Sequence, residues 1–331
     1  MANPCDHDLL FLDAAAIARL LTPRLCRDAI EDAYRALHAA PSDQPRSIGF
    51  KTARGKIHVK AGLMPGAGRY FAAKINANYP ENMRAFGLPT VQGVIALFST
   101  ENGRPLAILQ SGALTALRTA ATAALAAQYG AKAKSSCLAL IGAGAQARYM
   151  VDAMADLFPM TTLAVFDLDR GRAEALAQWS AGRFNKARVA ASPEGAFAGC
   201  DIAVTITPAA APFVRLGMIP KGAFVAAVGA DNPDKNEIAA EVFAEARVCA
   251  DDPDVCAADG DLAHAIRAGT ARKDSVVGLA EIVAGAARAR RSEDEIVLFD
   301  STGSGLQDVA ATAAVYEAAG QAGEGQRIRL E

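Results

Sequence analysis

The residues best placed for chemistry form a glycine-rich turn and an acid that follows it. The run Leu138-Ala139-Leu140-Ile141 is apolar, and Gly142-x-Gly144-x-x-Ala147 then turns the chain toward a helix. The first glycine permits a tight turn, and the second lets the backbone approach a pyrophosphate. Ala147 lets the helix pack closely on the strand. Asp167 ends a second apolar run, Leu163–Phe166, twenty residues beyond Ala147, where a carboxylate can accept hydrogen bonds from a ribose. The pattern predicts a dinucleotide site; a glycine-rich turn that binds nothing is the plain alternative.

A second group of residues is charged where its neighbours are not. Lys74 lies inside the apolar strand Ala73-Lys74-Ile75-Asn76, and lysine is rarely buried without a partner. A functional lysine and a snorkelling edge lysine are both open. Arg46 follows Gln44-Pro45, and Arg118 sits within the Ala-rich Leu114–Ala121, where an arginine faces an anion more readily than open water. Arginine forks grip carboxylates bidentately. Asp231, in the loop Gly229-Ala230-Asp231-Asn232-Pro233-Asp234-Lys235, stands where a nicotinamide should lie. It is either an acid/base for a substrate nitrogen or a turn-forming residue. Three cations and an acid around a nicotinamide suit a small carboxylate bearing an amine or imine. His58 and Lys60 share one face of a strand and read first as an exposed strand face.

The elements that must position these residues change texture along the chain. Two helices are expected over 14–40, the second from about Thr22 to Ala39 after a Thr-Pro start. From Arg46 to Leu109 come short β-like segments: Arg46–Lys51, Lys56–Leu63, Tyr70–Asn78, Val91–Ser99 and Leu106–Ile108. Turns rich in Gly, Pro and Asn separate them, and the expected sheet is antiparallel. A long helix over Ser111–Ala131 leads into alternating strands and helices, which imply a parallel, doubly wound sheet. A last helix, about Gln307 to Ala319, should return to the first domain. The terminal Gly-Gln-Ala-Gly-Glu-Gly reads as a mobile tail. The expected fold class is α/β: a Rossmann dinucleotide-binding domain, 118–305, inserted in an α+β substrate and dimerisation domain made of 1–117 plus 306–331.

Bulk properties narrow the classes. A chain of 331 residues carries 34 Lys+Arg against 36 Asp+Glu, so no electrostatic footprint for nucleic acid stands out. Apolar residues make up 52%, but no uninterrupted run approaches the ~20 needed to span a bilayer. The start lacks the basic and apolar regions of a signal peptide, so a soluble, cytoplasmic protein is expected. Six scattered cysteines and four histidines form no metal-ligand spacing, so no metal is expected.

Taken together, several ordered motifs resemble the ornithine cyclodeaminase/mu-crystallin family across nearly the whole chain. They are Gly62-Leu63-Met64-Pro65, Ala73–Asn76, Gly87–Gly93, Leu114–Ala121, Ile141–Gln146, Val228–Asp231 and Phe299–Gly303. The resemblance implies that Arg46, Lys74 and Arg118 hold a substrate carboxylate, that Thr302 lies near the substrate, and that Asp231 is the acid/base. It further implies that Thr90, Arg118, Ala145, Gln146, Asp167, Thr205, Val228, Lys235 and Ser301 line the cofactor beside Gly142 and Gly144. A homodimer formed through the substrate domains is part of the same implication.

One departure separates subclasses. Ornithine cyclodeaminase has a glutamate immediately before its Leu-Met-Pro, and this chain has Gly62 there, which points away from cyclodeamination toward the reductase-like branch. The expected activity is NAD(P)H-dependent reduction of a small, cyclic 2-imino acid such as 1-pyrroline-2-carboxylate or 1-piperidine-2-carboxylate, with Asp231 or Lys74 serving the imine nitrogen. The rivals are an ornithine or lysine cyclodeaminase with tightly held NAD, an open-chain amino-acid dehydrogenase, and a non-catalytic binding protein. Asp167 favours NAD(H) over NADP(H), because a carboxylate repels a 2′-phosphate, although Arg170 and Arg172 lie close behind it.

Overall fold

The computed structural model describes residues 8–42, 44–45, 47–66 and 68–330. The chain forms two compact units, 1–118 with 304–331, and 119–303. The chain leaves the first unit inside the long Ala-rich helix, immediately after Arg118. Arg118 therefore belongs to the first unit and not to the start of the second.

In the first unit the elements are β1 (Asp8–Leu12), α1 (Ala14–Leu20), α2 (Pro23–Ala39), β2 (Ile48–Lys51), β3 (Lys56–Leu63), β4 (Tyr70–Asn78), α3 (Asn82–Phe86), β5 (Val91–Ser99), β6 (Pro105–Gln110) and the start of α4 (Ser111–Gly130). Thr22 caps α2 through its side chain, with Pro23 at the first helical position. The buried residues of α2, Cys26, Ile30, Ala33 and Tyr34, recur at helical spacing.

The second unit holds β7 (Cys137–Ile141), α5 (Ala147–Leu157), β8 (Thr162–Phe166), α6 (Arg170–Trp179), β9 (Lys186–Val189), α7 (Pro193–Phe197), β10 (Ile202–Thr205), β11 (Phe224–Ala227), α8 (Ala240–Glu245), β12 (Arg247–Ala250), α9 (Pro253–Asp259), α10 (Asp261–Arg267), β13 (Val277–Gly278), α11 (Leu279–Val283) and β14 (Val297–Asp300). The chain then re-enters the first unit with α12 (Gly305–Ala322) and β15 (Gln326–Arg329).

The seven strands of the first unit run in the order β15-β1-β6-β5-β4-β3-β2. Two expectations are corrected here. The sheet is mixed, because β1 pairs parallel with β6 while the other pairs are antiparallel. The terminal glycine-rich stretch is not a free tail. α12 runs through Ala322, Gly323 closes it with φ 68°, and β15 pairs antiparallel with β1. α12 packs on α2 and on one face of β3 and β4. At that crossing Gly62 and Gly305 meet so closely that a Cβ on Gly62 would lie 2.0 Å from the Gly305 carbonyl oxygen.

The second unit's eight strands run β13-β12-β14-β11-β10-β7-β8-β9, and the pairs are parallel throughout. The order reverses between β7 and β10, the switch point outside which such sheets bind ligands, at the carboxyl ends of the strands. β7, β10, β11 and β14 are buried almost throughout, as strands covered on both faces must be. Among the described residues, no helix is long and apolar enough to cross a membrane.

Candidate functional site

In the first unit, strand alternation and one helix bring the odd charges together. Lys74 points from β4 toward α12, and Arg118 reaches the same helix from α4. Both are 4–5% exposed. Lys74 Nζ donates to Asp308 Oδ1 at 2.9 Å and lies 2.7 Å from Oδ2. Arg118 Nε donates to Asp308 Oδ1 at 2.9 Å, and its Nη1 donates to Gln307 Oε1 at 3.0 Å. The Gln307 amide donates in turn to the Tyr34 hydroxyl at 2.9 Å.

Asp308 and Gln307 were not singled out in the sequence. The signal was there for Asp308, an acid in the first turn of an Ala-rich helix with no other charge until Glu317, the same oddity that marked Arg118. Lys60 stands opposite Lys74 in the β3–β4 register and shares its face. His58 and Lys60 are half-buried on that face, not an exposed strand surface. Arg46 lies outside the described residues.

Electrostatics in this cluster favour an added anion. Two buried cations, Lys74 and Arg118, share the carboxylate of Asp308. Burial pushes Lys74 down to about 7, with Asp308 pulling the other way and Arg118 and Lys60 adding to the fall. Burial alone would raise Asp308, but Lys74 and Arg118 hold it below the usual carboxylate range. An amine poised near neutrality can both grip a carboxylate and move a proton.

In the second unit the glycine-rich turn is built as the sequence requires. Gly142 has φ 104°, and a Cβ there would lie 2.5 Å from the Ile206 carbonyl oxygen. At Gly144 a Cβ would meet nothing within 4 Å of protein, so packing does not demand the glycine. It opens onto a cavity of about 410 Å³ lined by Ala143, Gly144, Ala145, Arg148, Tyr149 and Arg172, among others. Asp167 is bolted to the turn: its Oδ2 accepts from the Ala143 N–H at 2.6 Å and its Oδ1 from the Asp169 N–H at 2.8 Å. The Gln146 side-chain oxygen is buried without a hydrogen-bond partner. An open cradle and an unmatched polar atom fit the pyrophosphate of a dinucleotide.

At the carboxyl ends of β10, β11 and β14, buried acids hold the loops. The Glu237 carboxylate accepts from Thr205, Thr207 and Gly229. Thr205 is fully buried, and its hydroxyl is spent on Glu237. Asp251 accepts from Ser301 Oγ at 2.7 Å and from the Gly303 N–H at 2.8 Å. The Thr302 N–H reaches the same carboxylate at 3.4 Å. Val228 is buried and donates its N–H to Thr205. Lys235 Nζ pairs with Asp231 Oδ1 at 2.8 Å and donates to the Gly229 carbonyl at 3.1 Å. Asp231 itself is half exposed. Thr90 is an exposed residue of the first unit whose carbonyl accepts from the Tyr79 N–H. Among the described residues no group of His, Cys, Asp and Glu is arranged to hold a metal ion.

The acids of this rim titrate abnormally. Burial raises Asp261 to about 7, with Glu237 adding to the rise, and burial with Asp261 nearby raises Asp300 well above its usual value. Because the folded pKa of Asp261 lies above its unfolded one, its stabilisation is complete below about pH 4 and is lost as pH rises through about 7. The thermal midpoint should therefore fall between about pH 4 and 7, and Asp261→Asn should flatten that fall. Parallel curves for the two proteins would contradict this cause.

Residues 8–323 match the model of the ornithine cyclodeaminase/mu-crystallin family. The chain is 30% identical over 324 residues to an alanine dehydrogenase of Archaeoglobus fulgidus, covering 98% of this chain and 99% of that one. A solved archaeal alanine dehydrogenase dimer with bound NAD superposes with a TM-score of 0.92 at 30% identity, covering 98% and 100%. The Delta(1)-pyrroline-2-carboxylate reductase of Thermococcus litoralis, solved with NADH and L-proline, gives 0.91 at 26% identity, covering 97% and 100%. Motifs, fold and relatives agree, and this chain belongs to the ornithine cyclodeaminase/mu-crystallin family.

Proposed function

We propose that the protein is an NAD(H)-dependent reductase of a small, cyclic 2-imino acid, of the kind represented by 1-pyrroline-2-carboxylate or 1-piperidine-2-carboxylate. The observation that carries this is the buried Lys74–Asp308–Arg118 cluster, in which two cations share one carboxylate. Its relatives make the chain an oxidoreductase of the nicotinamide-dependent class; the imine substrate is our reading. Lys74 and Arg118, with Arg46, hold the substrate carboxylate, and Thr302 borders the substrate. Fixing that end orients the imine carbon, and orientation supplies much of the rate. Asp231, already paired with a cation in Lys235, stabilises the protonated imine nitrogen, and Lys74 can pass a proton near neutral pH. The turn at Gly142–Gln146, with Asp167, holds the dinucleotide, aided by Thr90, Thr205, Val228, Lys235 and Ser301. A bound reduced nicotinamide supplies the hydride.

Against cyclodeamination stands the Gly62–Gly305 approach. A glutamate at position 62 has no room unless α12 shifts, so that side chain could not serve a deaminating pocket here. Ammonia and proline formed from ornithine would overturn this. The likeness to an alanine dehydrogenase supports an open-chain substrate as a second reading; NADH oxidation with pyruvate and ammonia, but with no cyclic imine, would select it.

For the cofactor, Asp167 and Asp169 are two acids at the ribose end, and Arg172 is occupied by Asp169 at 3.2 Å. Arg170 is paired with Glu174 at 2.8 Å. This arrangement favours NAD(H), and a lower KM for NADPH than for NADH would reverse the assignment. A homodimer completes the reading. Ile48, Val59, Ile75 and Val94 form one row across four strands on the sheet face opposite Lys74, and Ile48, Ile75 and Val94 are exposed. A second copy covering that row predicts a dimer in sedimentation; a monomer at micromolar concentration would contradict it.

A further inference from the structure

Glu237 is fully buried, yet its carboxylate accepts four hydrogen bonds. Oε1 takes the N–H and the hydroxyl of Thr207, both at 2.7 Å. Oε2 takes the Thr205 hydroxyl at 2.8 Å and the Gly229 N–H at 2.9 Å. These donors lie at and just beyond the ends of two adjoining parallel strands, β10 and β11, at the rim where the sheet's ligands bind.

The fit is close from both sides. A Cβ on Gly229 would lie 2.5 Å from Glu237 Oε2, so position 229 must be glycine for this carboxylate to reach its N–H. Behind it, Asp261 Oδ1 fixes the Glu237 backbone, accepting from the Glu237 N–H at 2.6 Å and the Ile238 N–H at 3.1 Å. Ahead of it, the Gly229 carbonyl accepts from Lys235 Nζ, and the same Nζ holds Asp231. The series Asp261, Glu237, Gly229, Lys235, Asp231 is continuous.

We propose that Glu237 is a positioning residue that fixes loop 228–235 and thereby the place from which Asp231 acts. This rests on the role given above to Asp231. A burial-raised carboxyl would not by itself imply such a role; the four donors and the glycine cut to admit them do.

The isosteric glutamine separates positioning from packing. Each carboxylate oxygen faces a backbone N–H, so an amide NH₂ must face a donor whichever way it is turned. Glu237→Gln therefore releases either the Thr207 or the Gly229 segment at constant shape. The test is hydrogen exchange of the full-length protein with NADH, together with steady-state kinetics. In Glu237→Gln, amides of 228–236 should exchange at least about tenfold faster, while those of β7 and β8 stay within about threefold. Turnover of the imino acid should fall by ~10–100-fold, since a misplacement of about 1 Å costs on that order.

Thr207→Val, which removes one hydroxyl donor and keeps the N–H, should give an intermediate change in both readouts. Unchanged exchange over 228–236 overturns the proposal. So does equal acceleration in β7 and β8 in both variants, which is what general loosening would give. If the wild type reduces no imino acid, the reductase reading falls, and the exchange data still decide what Glu237 holds.

Discussion

Asp231→Asn should lower kcat for imine reduction by ~10²–10⁴-fold, the usual worth of a positioned acid–base group. The amide keeps a hydrogen-bond acceptor for Lys235 Nζ, now 2.8 Å from Asp231 Oδ1, but removes the negative charge that the proposed mechanism sets against a protonated imine. Affinity for NADH should change little, because the glycine-rich turn and Asp167 are held by their own hydrogen bonds. Steady-state kinetics and a fluorescence titration with NADH measure the two effects separately. Turnover near that of the wild type would remove Asp231 from the mechanism.

Asp308→Asn should be the most damaging single change to stability. It removes the carboxylate that buried Lys74 and Arg118 share, and breaking a buried ion pair from one end costs about 3–5 kcal/mol. Lys74→Met should cost less, because Asp308 then still pairs with Arg118. Urea unfolding of the three proteins gives the order directly. A loss below about 1 kcal/mol for Asp308→Asn would mean that the cluster is hydrated rather than buried as a unit.

Much of this architecture is written locally in the chain. β3, β4 and β5 occupy the residues whose alternation and flanking Gly, Pro and Asn mark them, because those signals act within a few residues. The Gly142 turn is legible for the same reason: its φ of 104° and its clash with Ile206 leave no alternative to glycine. What could not be read depends on partners far away in sequence. β15, with the sequence Gln-Arg-Ile-Arg, is a charged edge strand and looks like a tail until β1 pairs with it. β1's parallel partner β6 is likewise set by the crossover between them.

The same limit applies to the site. Lys74 and Arg118 announce themselves as charges among apolar neighbours. The acid that neutralises them comes from 190 residues beyond Arg118. Glu237 carries no local signal at all: Asn236-Glu237-Ile238 would suit a surface turn. Its burial is stabilised by donors from β10 and β11 that only the folded sheet delivers, and hydropathy patterns report apolar faces rather than satisfied acids.

The most direct test follows absorbance of the reduced nicotinamide with paired substrates, 1-pyrroline-2-carboxylate and 1-pyrroline, which lacks the carboxylate. The account predicts NADH oxidation with formation of L-proline from the first. It also predicts kcat/KM lower by about 100-fold or more for the second, the worth of charge-assisted hydrogen bonds to a carboxylate. Equal rates with both imines, or no NADH oxidation with any 2-imino acid, would contradict it.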